Sequence, residues 1–109
     1  MQFLATHLAT GTGVAKDEAQ ALAWYRKAAQ NGDAAAMARV GLMLQYGRGA
    51  AKDLVAATIW YRQAAEAGST EGMRFLAKAL ETGSGTEKDL AEANHWYRQA
   101  EAATQTQRR

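Results

Sequence analysis

The stretch Gly47-Arg48-Gly49-Ala50-Ala51-Lys52-Asp53, continued by Ala57, Trp60-Tyr61-Arg62, Ala64 and Gly68, decides how this chain is organised, because its pattern occurs three times. Gly47-Arg48-Gly49 has counterparts in Gly11-Thr12-Gly13 and Gly83-Ser84-Gly85, and Lys52-Asp53 in Lys16-Asp17 and Lys88-Asp89. Trp60-Tyr61-Arg62 returns as Trp24-Tyr25-Arg26 and Trp96-Tyr97-Arg98. Every step is 36 residues, without insertion or deletion, and Leu8, Leu44 and Leu80 keep the same register. A fixed period between about 20 and 50 residues marks stacked supersecondary units. The chain of 109 residues therefore divides into units at 1–32, 33–68 and 69–104, with a polar, basic tail at 105–109.

Composition agrees with helices. Of the 52 apolar residues 26 are Ala, while Leu, Ile, Val and Phe together number 15, and there is no Pro. Alanine is the strongest helix former and β-branched residues are scarce, so the expected class is all-α. With no Cys, a disulfide framework, a thiolate zinc site and a cysteine nucleophile are excluded. The longest apolar run, Ala34 to Ala38, is far short of the ~20 residues that span a bilayer, and Met1 to His7 lacks the features of a signal peptide. Localisation stays open. Arg108 and Arg109 supply the whole basic excess, since the remaining chain carries 11 basic and 11 acidic residues. No nucleic-acid partner is expected from so even a charge balance.

Within each unit the pattern predicts two helices. The second and longer one starts at Asp17, Asp53 or Asp89, where a carboxylate accepts from free N–H groups of the first turn. It ends at Gly32 or Gly68, positions suited to the left-handed conformation. Ala21, Trp24, Tyr25, Ala28 and Ala29 form its apolar stripe, and Trp24, Trp60 and Trp96 are expected to wedge between successive helix pairs. The first and shorter helix is capped by Asp33 or Ser69 and carries Met37, Val40, Gly41 and Leu44, with Gly41 admitting a close neighbour. Three stacked pairs, six helices in all, build one continuous core.

The same residues resemble the SEL-one-like repeat (SLR), a relative of the tetratricopeptide repeat. The likeness covers residues 1–104 and rests on the period, the Gly-x-Gly spacing, the Lys-Asp start and the Trp-Tyr-Arg block. It implies a right-handed α/α superhelix whose shorter helices line a concave surface, and adaptor or scaffold work rather than catalysis. Some cysteine-rich relatives handle β-lactams, but without cysteine that activity has no anchor in this chain.

Chemistry beyond this is sparse. The Gly-x-Gly loops follow no strand and do not continue into Gly-Lys-Ser/Thr, so they read as turns rather than phosphate cradles. His7 and His95 lie in opposite end units, which disfavours a metal site or a His pair, and Ser69 and Ser84 have no His beside them. No cofactor is expected. The ladder Arg26, Arg62 and Arg98 offers a subordinate reading as an anion site of a small-molecule-binding or hydrolytic protein, and a third reading is a structural segment of a longer array.

The favoured surface follows from helical periodicity. If Met37, Val40, Gly41 and Leu44 face the core, then Ala35, Ala38, Leu42, Gln45 and Tyr46 face away from it, followed by Glu71, Arg74, Lys78 and Glu81 in the third unit. Small apolar residues grading into mixed charge suit a peptide or partner-protein segment. Glu101 and the tail read as a polar terminal cap, whereas Phe3, Leu4 and Leu8 leave the first helix apolar and predict either a truncated longer array or end-to-end self-association through it.

Overall fold

The computed structural model describes the backbone of residues 12–108 and the side chains of residues 17–105. The first short helix expected from the sequence, with His7, Phe3, Leu4 and Leu8, lies outside the described residues. Five helices follow: α1 Thr12–Gln30, α2 Ala34–Tyr46, α3 Leu54–Glu66, α4 Thr70–Thr82 and α5 Leu90–Arg108. No strand occurs among the described residues. The second repeat is the pair α2 and α3, the third the pair α4 and α5.

Local chemistry sets the helix ends. Asp33 Oδ1 accepts from the Ala36 N–H at 3.2 Å, Asp53 Oδ1 from Ala56 at 3.0 Å, Ser69 Oγ from Gly72 at 2.9 Å and Asp89 Oδ1 from Glu92 at 3.0 Å. Each bond occupies a donor that the helix leaves free in its first turn. At the other end Gly47 (φ 69°) and Gly83 (φ 75°) stop α2 and α4 in the left-handed region. The second glycine of each loop has a different purpose. A Cβ on Gly49 would stand 2.5 Å from the Glu18 carbonyl oxygen, and one on Gly85 would overlap the Leu54 carbonyl oxygen. Glu18 and Leu54 are themselves 36 residues apart, so this backbone-to-backbone approach is the device by which one repeat seats on the one before it.

Three expectations need correction. Asp17 does not begin α1, which is already helical from Thr12. The loops at Gly49 and Gly85 lie against a preceding second helix, whereas the Thr12–Lys16 backbone of the first repeat is helical. The second helix is not the longer one in general: α2, α3 and α4 each have 13 residues, and only α1 and α5, at the ends, reach 19. At α5 the reason is the missing glycine, since Thr104 stands where Gly32 (φ 95°) and Gly68 (φ 102°) end the other second helices, and the helix runs on to Arg108.

The third correction concerns the tryptophans. Trp24 is 68% exposed, with the Lys27 ammonium 5.6 Å from its ring centroid, and Trp60 and Trp96 are only half-buried. Tyr61 fills the interior instead, at 2% exposure. Trp96 lies on the side of α5 that meets the preceding second helix, where Glu92 joins it to Arg62, so a Trp at this position is covered by the repeat before it. Trp24 has no such cover among the described residues. The core comprises Leu22, Val40, Leu44, Tyr61, Leu76 and Leu80, cemented by Ala36, Ala57, Ala65, Ala77, Ala93 and Ala100. Small residues let the helices approach closely, as where a Cβ on Gly72 would stand 2.5 Å from the Ala64 Cβ.

Candidate functional site

A groove of about 510 Å³ opens between the second and third repeats, along the first helices α2 and α4. Its floor is set by the pairing of a glycine with an aromatic ring. A Cβ on Gly41 would stand 2.6 Å from Tyr61 Cε1, so only glycine at this point of α2 admits the ring to the core. The ring then packs against Phe75 of α4 with centroids 5.0 Å apart and planes at 40°. The Tyr61 hydroxyl is not left dry: it donates to Gln45 Oε1 at 2.6 Å, and burial pushes its ionisation well above the ordinary tyrosine range, with the neighbouring Tyr46 adding to the effect. The third repeat repeats the bond with a charged acceptor, Tyr97 donating to Glu81 Oε1 at 3.0 Å. There the hydroxyl is shifted upward too, by burial first and the Glu81 bond second.

The rim carries the recognition chemistry. Tyr46, 64% exposed, stands at the C-terminal end of α2, with half-buried Leu42 one turn before it. Across from them on α4 are Arg74 and Lys78, one turn apart, both exposed and, among the described residues, the only charged side chains lining the groove. The Arg74 guanidinium donates to Thr104 Oγ1 of α5 at 3.0 Å, and that hydroxyl donates in turn to the Ala100 carbonyl at 2.9 Å. An apolar floor with two cations and no carboxylate suits an extended chain that brings an aromatic or aliphatic side chain and one or two acids.

Of the residues singled out from sequence, Leu42, Gln45, Tyr46, Arg74 and Lys78 come together here. Glu81 stands beside them and engages Tyr97. Glu71 is turned to a 3.4 Å ion pair with Arg39 of α2, and Ala35 is exposed outside the groove. Ala38 was expected to face away from the core and is fully buried, at 0% exposure. The reason is that α2 touches α1, α3 and α4, so more of its circumference is enclosed than one apolar stripe accounts for. Sequence reasoning missed Phe75, Thr58, Tyr61 and Tyr97 as lining residues. The recurring Tyr within the Trp-Tyr-Arg block was the available signal for two of them. The Thr58 hydroxyl lies 3.0 Å from both the Leu54 and the Ser84 carbonyl oxygens and ties the loop of the third repeat to α3.

The arginine ladder does not present three free guanidinium groups. Arg62 donates to Glu92 Oε2 of α5 at 2.7 Å, while Arg26 and Arg98 stand exposed. The bond from Arg62 holds the Glu92 carboxyl below the usual carboxylate range and raises Arg62 in return, and Trp96 Nε1 donates to the same oxygen at 3.2 Å. This is an inter-repeat clasp, available once because the position of Glu92 is held by Ala56 one repeat earlier. His95 is exposed and meets only the edge of Trp96, with centroids 5.2 Å apart, among the ring contacts of the described residues. Among the described residues no group of His, Asp and Glu is placed to hold a metal ion, and no helix is long and apolar enough to cross a membrane.

The Sel1 repeat family model matches residues 1–33, 34–69 and 70–103. Among solved structures, a Sel1 repeat protein from Oxalobacter formigenes is similar at 33% identity and a TM-score of 0.71, covering 74% of this chain and 62% of that one. Another, c5321 of uropathogenic Escherichia coli, described as a protective antigen with an SLR fold, is similar at 35% identity and a TM-score of 0.76, covering 92% of this chain and 21% of that one. The chain thus spans less than two thirds of either protein. A comparison with curated proteins finds no match.

Proposed function

The chain belongs to the Sel1 repeat family, and from that premise we propose that it is a non-enzymatic protein-interaction module whose groove between α2 and α4 holds an extended acidic segment of a partner protein. Sel1 repeats are typically interaction modules, which sets the class of function. The observation that carries the specific reading is the pairing of Arg74 and Lys78, with no carboxylate in the lining among the described residues, over the half-buried rings of Phe75 and Tyr97. Two cations one helical turn apart steer an acidic segment into the groove, and the rings supply contact area of low conformational cost. The hydrolytic alternative draws less support, because Arg62 of its ladder is engaged by Glu92.

The test is selection of a random peptide display library against the full chain. Selected peptides are expected to combine Asp or Glu with an aromatic or aliphatic residue. Their affinity is expected to fall at least tenfold for the double variant Arg74→Glu, Lys78→Glu, with circular dichroism establishing that the variant is folded although it loses the bond from Arg74 to Thr104. Neutral or basic peptides, or affinity indifferent to the double charge reversal, would falsify the reading.

A further inference from the structure

The turn between α1 and α2 and the turn between α3 and α4 have the same backbone and differ in chemistry. In the first, the Gly32 N–H donates to the Ala29 carbonyl at 2.9 Å and the Asp33 N–H to the Ala28 carbonyl at 3.1 Å. In the second, Gly68 donates to Ala65 at 3.1 Å and Ser69 to Ala64 at 2.9 Å. This paired closure asks for glycine and makes no demand on the residue before it. Ala67 holds that place in the second turn, whereas the first has Asn31. Asn31 and Gly32 are both exposed, and a Cβ built on Gly32 would meet nothing within 4 Å, so nothing crowds the peptide that joins them. The other asparagine of the chain, Asn94, lies inside α5 and is followed by His95.

We propose that Asn31-Gly32 is a self-modification site, at which the asparagine deamidates through a cyclic imide and changes the charge and backbone length of the junction between α1 and α2. The Gly32 nitrogen gives its proton to hydroxide and attacks Cγ of Asn31. The bond from Cγ to the side-chain amide nitrogen breaks, and that nitrogen leaves as ammonia with a proton from water. One water molecule then opens the imide at either carbonyl, leaving aspartate or isoaspartate. Water is the only co-reactant. Glycine favours the attack because no Cβ obstructs it and because its backbone turns freely toward the side chain. The Gly32 N–H must first leave the Ala29 carbonyl, which opens only the last turn of α1 and costs far less than unfolding. Beyond Asn94 the corresponding nitrogen belongs to the body of a helix, and His95 carries a Cβ. Either product puts a carboxylate at the negative end of the α1 dipole. Isoaspartate also routes the main chain through its side chain and lengthens it by one carbon. The bonds from Gly32 and Asp33 to α1 then lose register, while Asp33 has to stay in place to cap α2.

The experiment incubates the folded full chain in mildly acidic and mildly alkaline buffer, digests it with trypsin and follows two peptides, residues 28–39 and 89–98, by mass spectrometry. The first is expected to gain about 1 Da, at a rate about tenfold or more above that of the second, and faster in the alkaline buffer. It separates into two products with the isoaspartyl form in excess. Asn31→Gln, whose cyclisation needs a larger ring, keeps its mass, and circular dichroism establishes that the variant is folded. The purified isoaspartyl chain is expected to melt below the fresh chain, with Asn31→Asp, which adds the charge at unchanged backbone length, between them. Equal rates at Asn31 and Asn94 overturn the proposal. So does reaction at Asn31 only after urea has unfolded the chain, which means that the bonds of the turn seal the site. A midpoint of the isoaspartyl chain equal to that of Asn31→Asp overturns the role given to backbone length.

Discussion

Tyr61 and Tyr97 occupy the same position in consecutive repeats, each bonds a side chain of the preceding first helix, and only one of them belongs to the core. Tyr61 enters beside Gly41 and is covered by Phe75 of the next repeat, whereas in the third repeat Ala77 holds the position of Gly41 and no further repeat lies over Tyr97 among the described residues. Burial in this array is thus conferred on a residue by its neighbours in the stack, and a residue's own identity decides only how it responds. The acceptors follow the same division. Neutral Gln45 serves the buried hydroxyl, where a carboxylate would need costly desolvation, and charged Glu81 serves the wetter one.

The most severe way to break this contrast is to remove both rings. Tyr61→Ala leaves a cavity under Phe75 and is expected to destabilise by about 3–5 kcal/mol, the range for a fully buried large side chain, while Tyr97→Ala loses about half as much. Urea unfolding of the two variants measures the difference. Equal losses would show that the surroundings of Tyr97 are as tightly packed as the interior interface.

The loops give the second contrast. Gly85→Ala must place a Cβ against the Leu54 backbone and hold alanine at φ 72°, and is expected to cost about 3 kcal/mol from overpacking and strain together. Gly32→Ala has nothing within 4 Å of its new Cβ and suffers only the left-handed penalty at φ 95°, about 1 kcal/mol. The gap between the two thermal midpoints isolates the part of the loop that seats one repeat on another. If it vanishes, the second glycine is needed only for its turn.

Gly41→Ala tests the opening itself. The new Cβ would meet the Tyr61 ring at 2.6 Å and the Ala57 carbonyl oxygen at 3.0 Å, and the better helix propensity of alanine offsets only part of the repulsion, for a net loss of about 1–2 kcal/mol. The same substitution in a Tyr61→Ala background is expected to cost nothing or to stabilise, since the ring that it strikes is gone. A double-mutant cycle reads that coupling directly, and additivity would show that Gly41 accommodates something other than Tyr61.

Much of this organisation was legible from the chain, because it is written locally. The period, the caps at Asp33, Asp53, Ser69 and Asp89, and the stops at Gly47 and Gly83 each depend on residues within a few positions of one another. What was not legible depends on distant partners. Trp60 and Tyr61 are adjacent members of one apolar stripe, and nothing local says that Tyr61 goes inside; the decision is taken by Gly41 and Phe75 on two other helices. The same holds for Ala38, which periodicity places outward and the surrounding helices enclose. In the candidate groove the charged wall was readable, since Arg74 and Lys78 lie one turn apart on an outward face, but its floor was not, because a floor is made by the meeting of repeats.

The smallest contrast is electrostatic and sits at the same junction. Arg62 and Glu92 join α3 to α5, and both side chains are about a third exposed, at 38% and 32%, so solvent screening keeps their contribution below about 1 kcal/mol. The carboxyl of Glu92 is lowered in the folded chain, chiefly by the bond from Arg62, so the folded state binds its proton less readily than the unfolded one. The stabilisation is then fully present above the unfolded value near pH 4.3 and is lost as the pH falls through the lower folded value. Glu92→Gln is accordingly expected to destabilise by a few tenths of a kcal/mol at pH 7, and the difference from the parent chain should shrink on acidification below about pH 4 and at high salt. Arg98 has no ion pair among the described residues, so Arg98→Gln should show neither dependence. A difference for Glu92→Gln that stays constant from pH 7 to pH 3 would assign the junction to the Trp96 bond and packing rather than to charge.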